Sequence, residues 1–156
     1  MAEDDLNARR SAPETAAGAT TIQMGGRRLT IEEVAAIASG RAGVALNGDA
    51  AWRAHIERGA AFLRERLAAG ATVYGVNTGY GDACVVTVPP ELVEALPLQL
   101  TRYHGCGMGG LLEPAETRAG IAARLNSLAY GYSGVRVVLL ERLADLINFD
   151  VLPRIP

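Results

Sequence analysis

Residues 74–81 read Tyr-Gly-Val-Asn-Thr-Gly-Tyr-Gly, with three glycines set among Tyr74, Asn77, Thr78 and Tyr80. Glycine lets the backbone turn sharply and come close to a ligand, and the hydroxyl and amide groups between the glycines can donate or accept hydrogen bonds there. Tyr74 is the side chain to which a reaction could attach. A phenol ionises near pKa ~10 and is only about one part in a thousand phenolate at neutral pH, so it serves as a base only where donors or positive charge stabilise the anion. So placed, it can take a proton from carbon. The structural alternative is a tyrosine closing a strand end with its hydroxyl on backbone, in a loop that is only a tight connection.

Other residue types that carry chemistry are fewer. Arg102, Tyr103 and His104 put a cation, a ring and an imidazole directly before a glycine run, which suits a recognition surface. The run itself, Gly105-Cys106-Gly107-Met108-Gly109-Gly110, satisfies the spacing of a dinucleotide loop. That loop needs a hydrophobic strand before it and a helix opening within it, whereas residues 99–104 read as helix, so no nucleotide is expected. His104, Cys106, Cys84 and His55 match no common zinc spacing, and no metal is expected. His104 and Cys106, two apart, would not converge as a nucleophile and base. All fifteen Lys and Arg positions are arginine, so a lysine Schiff base and a phosphate-binding lysine are absent from these residues.

The balance of the chain is that of a soluble globular protein. Apolar residues make up 49% and charged residues 21% of 156, enough for one domain with a core. A formal charge of -2 gives no reason to expect nucleic acid or an anionic membrane as partner. No apolar run is long enough to span a bilayer. The acidic start, Glu3, Asp4 and Asp5, does not resemble a secretory signal, and two cysteines are too few for a disulfide framework, so a cytoplasmic protein is expected.

Several elements must hold these residues in place. Residues 1–20 show no apolar period and are expected to be a disordered tail; the globular part is expected over 21–156. Residues 21–24, Gly25-Gly26 and 27–29 read as a small hairpin. Thr30 with Glu33 forms a capping box that opens a helix ending near Gly40. Asp49 caps a second helix carrying Trp52, Ile56, Phe62, Leu63 and Leu67 on its buried face, with His55 at the edge of that face. Short strands are expected over 72–76 and 85–88, on either side of the glycine loop. Pro89-Pro90 starts a helix, broken or kinked at Pro97, with Leu92, Leu96, Leu100 and Tyr103 facing inward. Glu113-Pro114 opens another, with Asn126 in its midst and Gly131 beyond its end. Ser133 is expected to cap the last helix, and Pro153 and Pro156 lead the chain out. The sum is a mainly α chain with small strand pieces. Helices apolar over so much of their surface need neighbours, and the chain reads as part of a larger helical body.

Four stretches in order resemble one family. Residues 74–81 are similar to the Tyr-Gly-x-x-Thr-Gly-aromatic-Gly loop of the aromatic amino acid ammonia-lyases and aminomutases, the histidine ammonia-lyase group. Residues 98–109 look like that family's substrate-selectivity segment, and residues 124–136 like its Arg-x-Asn-x-Leu-x-x-Gly-x-Ser-Gly-x-Arg helix and turn. Residues 152–156 match the approach to its prosthetic group. The resemblance implies the N-terminal portion of a large helical-bundle lyase. By position Tyr74 would be the base that takes the substrate's β-proton. Gly81 would lie against the prosthetic group and help hold its oxygen through the backbone.

The family's electrophile is methylidene-imidazolone, formed from an internal Ala-Ser-Gly. An ammonia-lyase uses it to expel ammonia and leave an α,β-unsaturated acid; an aminomutase returns the amine to the β-carbon. Substrate choice is read at two positions that align with Tyr103 and His104. In the family Ser-His goes with histidine, His-Leu with tyrosine and Phe-Leu with phenylalanine. His104 favours histidine, while Tyr103 departs from that pattern and would narrow the pocket or bond a phenol. A histidine at the place of His104 also occurs in the family's aminomutases, which leaves open a 2,3-aminomutase acting on tyrosine or phenylalanine. No Ala-Ser-Gly-Asp occurs in the 156 residues; the Ala-Ser-Gly they do hold, Ala38-Ser39-Gly40, falls at the expected end of the first helix and not after residues 152–156. The expectation is therefore a chain not active alone, whose site is completed by the rest of the lyase polypeptide or a second chain, in a body that is a homotetramer when whole. An inactive binding or assembly module on the lyase scaffold is the other reading.

Overall fold

The computed structural model describes residues 20–156. The expected disordered tail lies outside the described residues except for Thr20, which begins the first strand. In chain order the elements are β1 (Thr20–Met24), α1 (Ile31–Ala38), β2 (Ala42–Leu46), α2 (Ala50–Ala68), a 3-10 turn (Gly81–Val85), α3 (Pro90–Val93), α4 (Leu96–His104), α5 (Pro114–Leu128) and α6 (Val137–Asn148). The mainly α class is as the sequence indicates.

The expected hairpin does not form. β1 pairs in parallel with β2, Ile22 opposite Val44, and α1 makes the crossover. Gly25 and Gly26 do take positive φ, +94° and +84°, as the hairpin reading required. The chain beyond them is drawn away instead. Arg27 makes two hydrogen bonds to Glu33, at 2.9 and 2.6 Å, fastening residues 27–30 to the start of α1. The buried Ala42 and Val44 of β2 give β1 a more apolar neighbour than Arg27 and Arg28 could. Gly25 has a second reason to be glycine, since a Cβ there would stand 2.7 Å from the indole of Trp52.

Both predicted N-caps on the first helices are present. Thr30 Oγ1 accepts from the Glu33 N–H, and Glu33 accepts from the Thr30 N–H in return. Asp49 accepts from the Ala51 N–H at 2.8 Å. The Arg27 side chain, followed by the Thr30 N–H, holds the Glu33 carboxyl down to about 2. Glu113 and Glu116 form a further capping box at the start of α5. The last helix is not capped by Ser133: its N-cap is Arg136, without a side-chain bond, because Gly134 with φ +65° carries the turn on before the helix begins.

The core gathers Ile22, Met24, Ile37, Val44, Trp52, Ile56, Leu125, Leu128, Leu140 and Ile147 from both strands and four helices. Trp52 Nε1 donates to the Ala129 carbonyl at 2.9 Å, pinning α2 to the end of α5. Asn148 acts as a third strand in miniature. It donates from Nδ2 to Val44 O and accepts at Oδ1 from Val44 N–H, both at 2.9 Å, so the outer edge of β2 is covered from α6. Arg118 of α5 bonds the Ala38 carbonyl at 3.3 Å and pairs with Asp150, tying the ends of α1 and α6 to α5.

Three further expectations are corrected. Residues 72–76 and 85–88 are not strands. The first stretch folds into successive turns in which both Val76 N–H and Asn77 N–H bond Val73 O, and the second meets the loop through a single antiparallel bridge, Thr78 to Thr87. The inward face expected of α3 and α4 is half-buried at Leu96 and Leu100 and exposed at Leu92 and Tyr103, where none of the described residues covers it. Phe62 is exposed rather than buried. The break expected near Pro97 is found at residues 94–95, between α3 and α4.

Candidate active site

The glycine loop is held from inside by its own side chains. Asn77 Oδ1 accepts from the Val73 N–H at 2.7 Å, and Asn77 Nδ2 donates to Ala71 O at 2.9 Å. Thr78 Oγ1 accepts from the Gly75 N–H at 3.1 Å and donates to Gly79 O at 2.8 Å. Gly75 needs its φ of +73° to make this turn, and a Cβ on Gly79 would lie 2.5 Å from Ala83 O. Tyr80 donates from its hydroxyl to Gly75 O at 3.2 Å and meets the Tyr74 ring edge-on, centroids 6.5 Å apart.

Tyr74 and Gly81, seven residues apart, are brought together. The Tyr74 hydroxyl accepts from the Gly81 N–H at 3.2 Å, while the side chain as a whole is 63% exposed. This tyrosine does bond backbone through its hydroxyl, but it closes no strand: the phenol stands at the surface with a backbone donor against its oxygen.

Tyr74 opens onto a cleft of about 590 Å³ lined by His55, Arg58, Gly59, Phe62 and Leu63 of α2, by Val73 and Val76, and by residues 131–134. Close packing of glycines sets the far wall. A Cβ on Gly59 would be 2.7 Å from Gly131 O, and one on Gly131 would be 2.5 Å from the His55 ring. His55 Nε2 lies 3.1 Å from Tyr130 O, and the His55 ring stands edge-on to Tyr132 with centroids 5.5 Å apart. Two of the motifs noted in the sequence, 74–81 and 124–136, thus meet across one opening. The spacing of His55, Gly59 and Leu63, four apart on a helix, together with Gly131 and Gly134, was the available signal for this wall. Arg58 was not singled out from the sequence, Phe62 was expected only on the buried face of its helix, and Tyr132 entered only within residues 124–136.

Tyr103 and His104 end α4, side by side, their rings tilted at 59° with centroids 4.9 Å apart, and both are exposed. They do not line the cleft at Tyr74. A helix and not a strand leads into the Gly105–Gly110 run, which turns back toward the chain end: a Cβ on Gly107 would meet Pro156, and Leu112 N–H bonds Ile155 O at 2.8 Å. Cys106 Sγ lies 3.5 Å from Tyr103 O, and Cys84 and Cys106 are both free and exposed. Among the described residues no group of three or more His, Cys, Asp or Glu could hold a metal ion, and no helix is long and apolar enough to cross a membrane.

A mainly helical body presents an exposed phenol, bonded by a backbone N–H, beside a glycine loop. The comparisons with known proteins give the family. Residues 29–156 match the family model for aromatic amino acid lyase, and the chain belongs to that family. It is similar to histidine ammonia-lyase of Chloroflexus aurantiacus, 39% identical over 132 residues, covering 84% of this chain and 25% of that protein. It is also similar to a probable histidine ammonia-lyase of Thermoplasma acidophilum, 40% identical over 135 residues, covering 86% of this chain and 27% of that protein. Among solved structures, tyrosine aminomutase from Streptomyces globisporus superposes with a TM-score of 0.81 at 36% identity over 88% of this chain and 26% of that one. Histidine ammonia-lyase from Trypanosoma cruzi superposes with a TM-score of 0.68 at 28% identity, over 83% and 24%. The chain spans about a quarter of the length of these curated relatives.

Proposed function

We propose that this chain is the base-carrying portion of an ammonia-lyase that eliminates ammonia from an aromatic L-amino acid, histidine in the first place. The observation that carries the reading is the Tyr74 hydroxyl, exposed and bonded to the Gly81 N–H at 3.2 Å. Tyr74 as phenolate takes the proton from the β-carbon and becomes a phenol. The electron pair of that C–H bond forms the α,β double bond as the C–N bond breaks and ammonia departs. The Gly81 N–H bonds the same oxygen and so fixes where the proton is received.

The residues present suit a prosthetic group placed against them. A Cβ at Gly81 would touch nothing within 4 Å, so the loop leaves open space at the position that would lie against methylidene-imidazolone. That group would supply the electrophile for the substrate's amine. The Ala-Ser-Gly of these residues, Ala38-Ser39-Gly40, is the end of α1, where the Ser39 N–H bonds Ala35 O at 3.1 Å and the Gly40 N–H bonds Ile37 O at 3.0 Å. The group would therefore come from polypeptide outside the 156 residues, the remainder of the lyase or a second chain, in a homotetramer when complete. Gly81 spends its N–H on Tyr74 here, so any hold on the group's oxygen would share that donor. Tyr103 and His104 would read the substrate side chain from the end of α4, His104 matching an imidazole substrate. Two exposed free thiols suit the cytoplasm.

The likeness to tyrosine aminomutase supports a second reading, in which the amine returns to the β-carbon. Analysis of the product separates the two, an unsaturated acid against a β-amino acid. The test of the base is Tyr74→Phe in the assembled enzyme. Turnover should fall at least about 100-fold with the fold intact. Unchanged turnover would remove Tyr74 from the mechanism, and unchanged binding with no turnover in either form would favour an inactive assembly module.

A further inference from the structure

Asn77 and Thr78 lie in the loop beside the base, and a polar side chain there could face either the substrate or the chain. The structure turns both inward. Asn77 grips the Val73 N–H at 2.7 Å and Ala71 O at 2.9 Å, while Thr78 grips the Gly75 N–H at 3.1 Å. Val73 and Gly75 are the two neighbours of Tyr74, so the N–H of the residue before it and the N–H of the residue after it are each held by a side chain. The gripping residues are themselves anchored. Asn77 O accepts from Val88 N–H and Gly79 N–H donates to Val86 O, both at 2.9 Å, about the Thr78–Thr87 bridge. Thr78 is 1% exposed, out of reach of any substrate. Its hydroxyl spends both its roles on backbone, accepting from Gly75 and donating to Gly79.

We infer that Asn77 and Thr78 are positioning residues for Tyr74: a two-point clamp, anchored to residues 86–88, that fixes the phenol against the Gly81 N–H. The assignment of these two residues rests on Tyr74 being the base, but the clamp itself can be tested without turnover. With either hold released, residues 73–75 can rotate, and the bond from Gly81 to the Tyr74 hydroxyl lengthens first because it is made by the most exposed group in the set. Asn77 and Thr78 would then be needed for rate and not for affinity.

The experiment is an amide proton spectrum of the nitrogen-15-labelled 156-residue chain. Tyr74→Phe identifies the direction in which the Gly81 amide moves when its acceptor is lost. Thr78→Val and Asn77→Leu should move it the same way, and Thr78→Ser, which keeps the hydroxyl, should leave it at the wild-type position. In the assembled enzyme the first two should lower kcat by about 100-fold, the scale of a misplacement of about 1 Å, with KM changed less than about twofold. If Thr78→Val and Asn77→Leu lower the melting temperature while the Gly81 amide stays in place, the two residues are merely structural and the inference is overturned. A Tyr74→Phe enzyme with full turnover would remove the base from the mechanism, yet the Gly81 amide would still decide whether the clamp exists.

Discussion

Gly59 and Gly131 meet where the cleft is narrowest, and each is glycine because the other chain segment leaves no room. Gly59→Ala sets a methyl 2.7 Å from a backbone carbonyl that cannot swing aside. It should cost about 1–3 kcal/mol in urea unfolding, as overpacking of this kind does. Trp52 poses the opposite case, a polar contact removed. Trp52→Phe leaves the buried Ala129 carbonyl without its donor and should cost about 1–3 kcal/mol for the lost bond alone, read from the same unfolding curves. Of the residues that matter at this scale, Tyr74 and Gly81 were legible from their motif, and so were Tyr103 and His104 as a pair. Arg58, Phe62 and Tyr132 were not, because nothing local distinguishes a side chain that lines a cleft from one that faces bulk water.

The first helix shows how a local code becomes an element. Thr30→Ala should cost about 1 kcal/mol, the usual loss for an N-cap, measured by thermal unfolding. The pairing of Glu33 with Arg27 adds a pH dependence. Because the folded carboxyl sits at about 2, below its ordinary value of 4.5, its contribution is fully present above pH 4.5 and is lost as pH falls through 2. The melting temperatures of wild type and Glu33→Gln should therefore differ at pH 6 and converge between pH 4.5 and 2. Caps and helix starts at Thr30, Asp49, Pro90 and Pro114 were readable because each depends on residues within a turn of one another. The strands expected at 72–76 and 85–88 were misread for the same reason. Their β-branched residues satisfy a local preference, whereas the backbone bonds that settle the matter are made to Asn77, Thr78 and each other.

At the scale of the molecule, α6 and β2 are joined by one side chain that imitates a strand. Asn148→Leu deprives Val44 of both its partners and should cost about 1–3 kcal/mol, with faster amide exchange at Val44 as the specific sign. The opposite side of the fold is open. Val85, Leu98, Tyr103 and Met108, the last 93% exposed, present an apolar surface on and around α3 and α4. This surface should bind a hydrophobic dye in the 156-residue chain and release it when the completing lyase polypeptide is added. The sequence by itself determined the helical class, the caps at Thr30 and Asp49, the family and the glycine loop that holds Tyr74, because these are written in short spacings that do not depend on what lies across the fold. Only the tertiary structure decided that β1 runs parallel to β2, that Gly81 turns its N–H to Tyr74, and that residues 131–134 face that tyrosine across a cleft with α2. Each of these joins groups whose separation along the chain carries no local signal, and is settled by which apolar surfaces and backbone groups find partners when the chain closes.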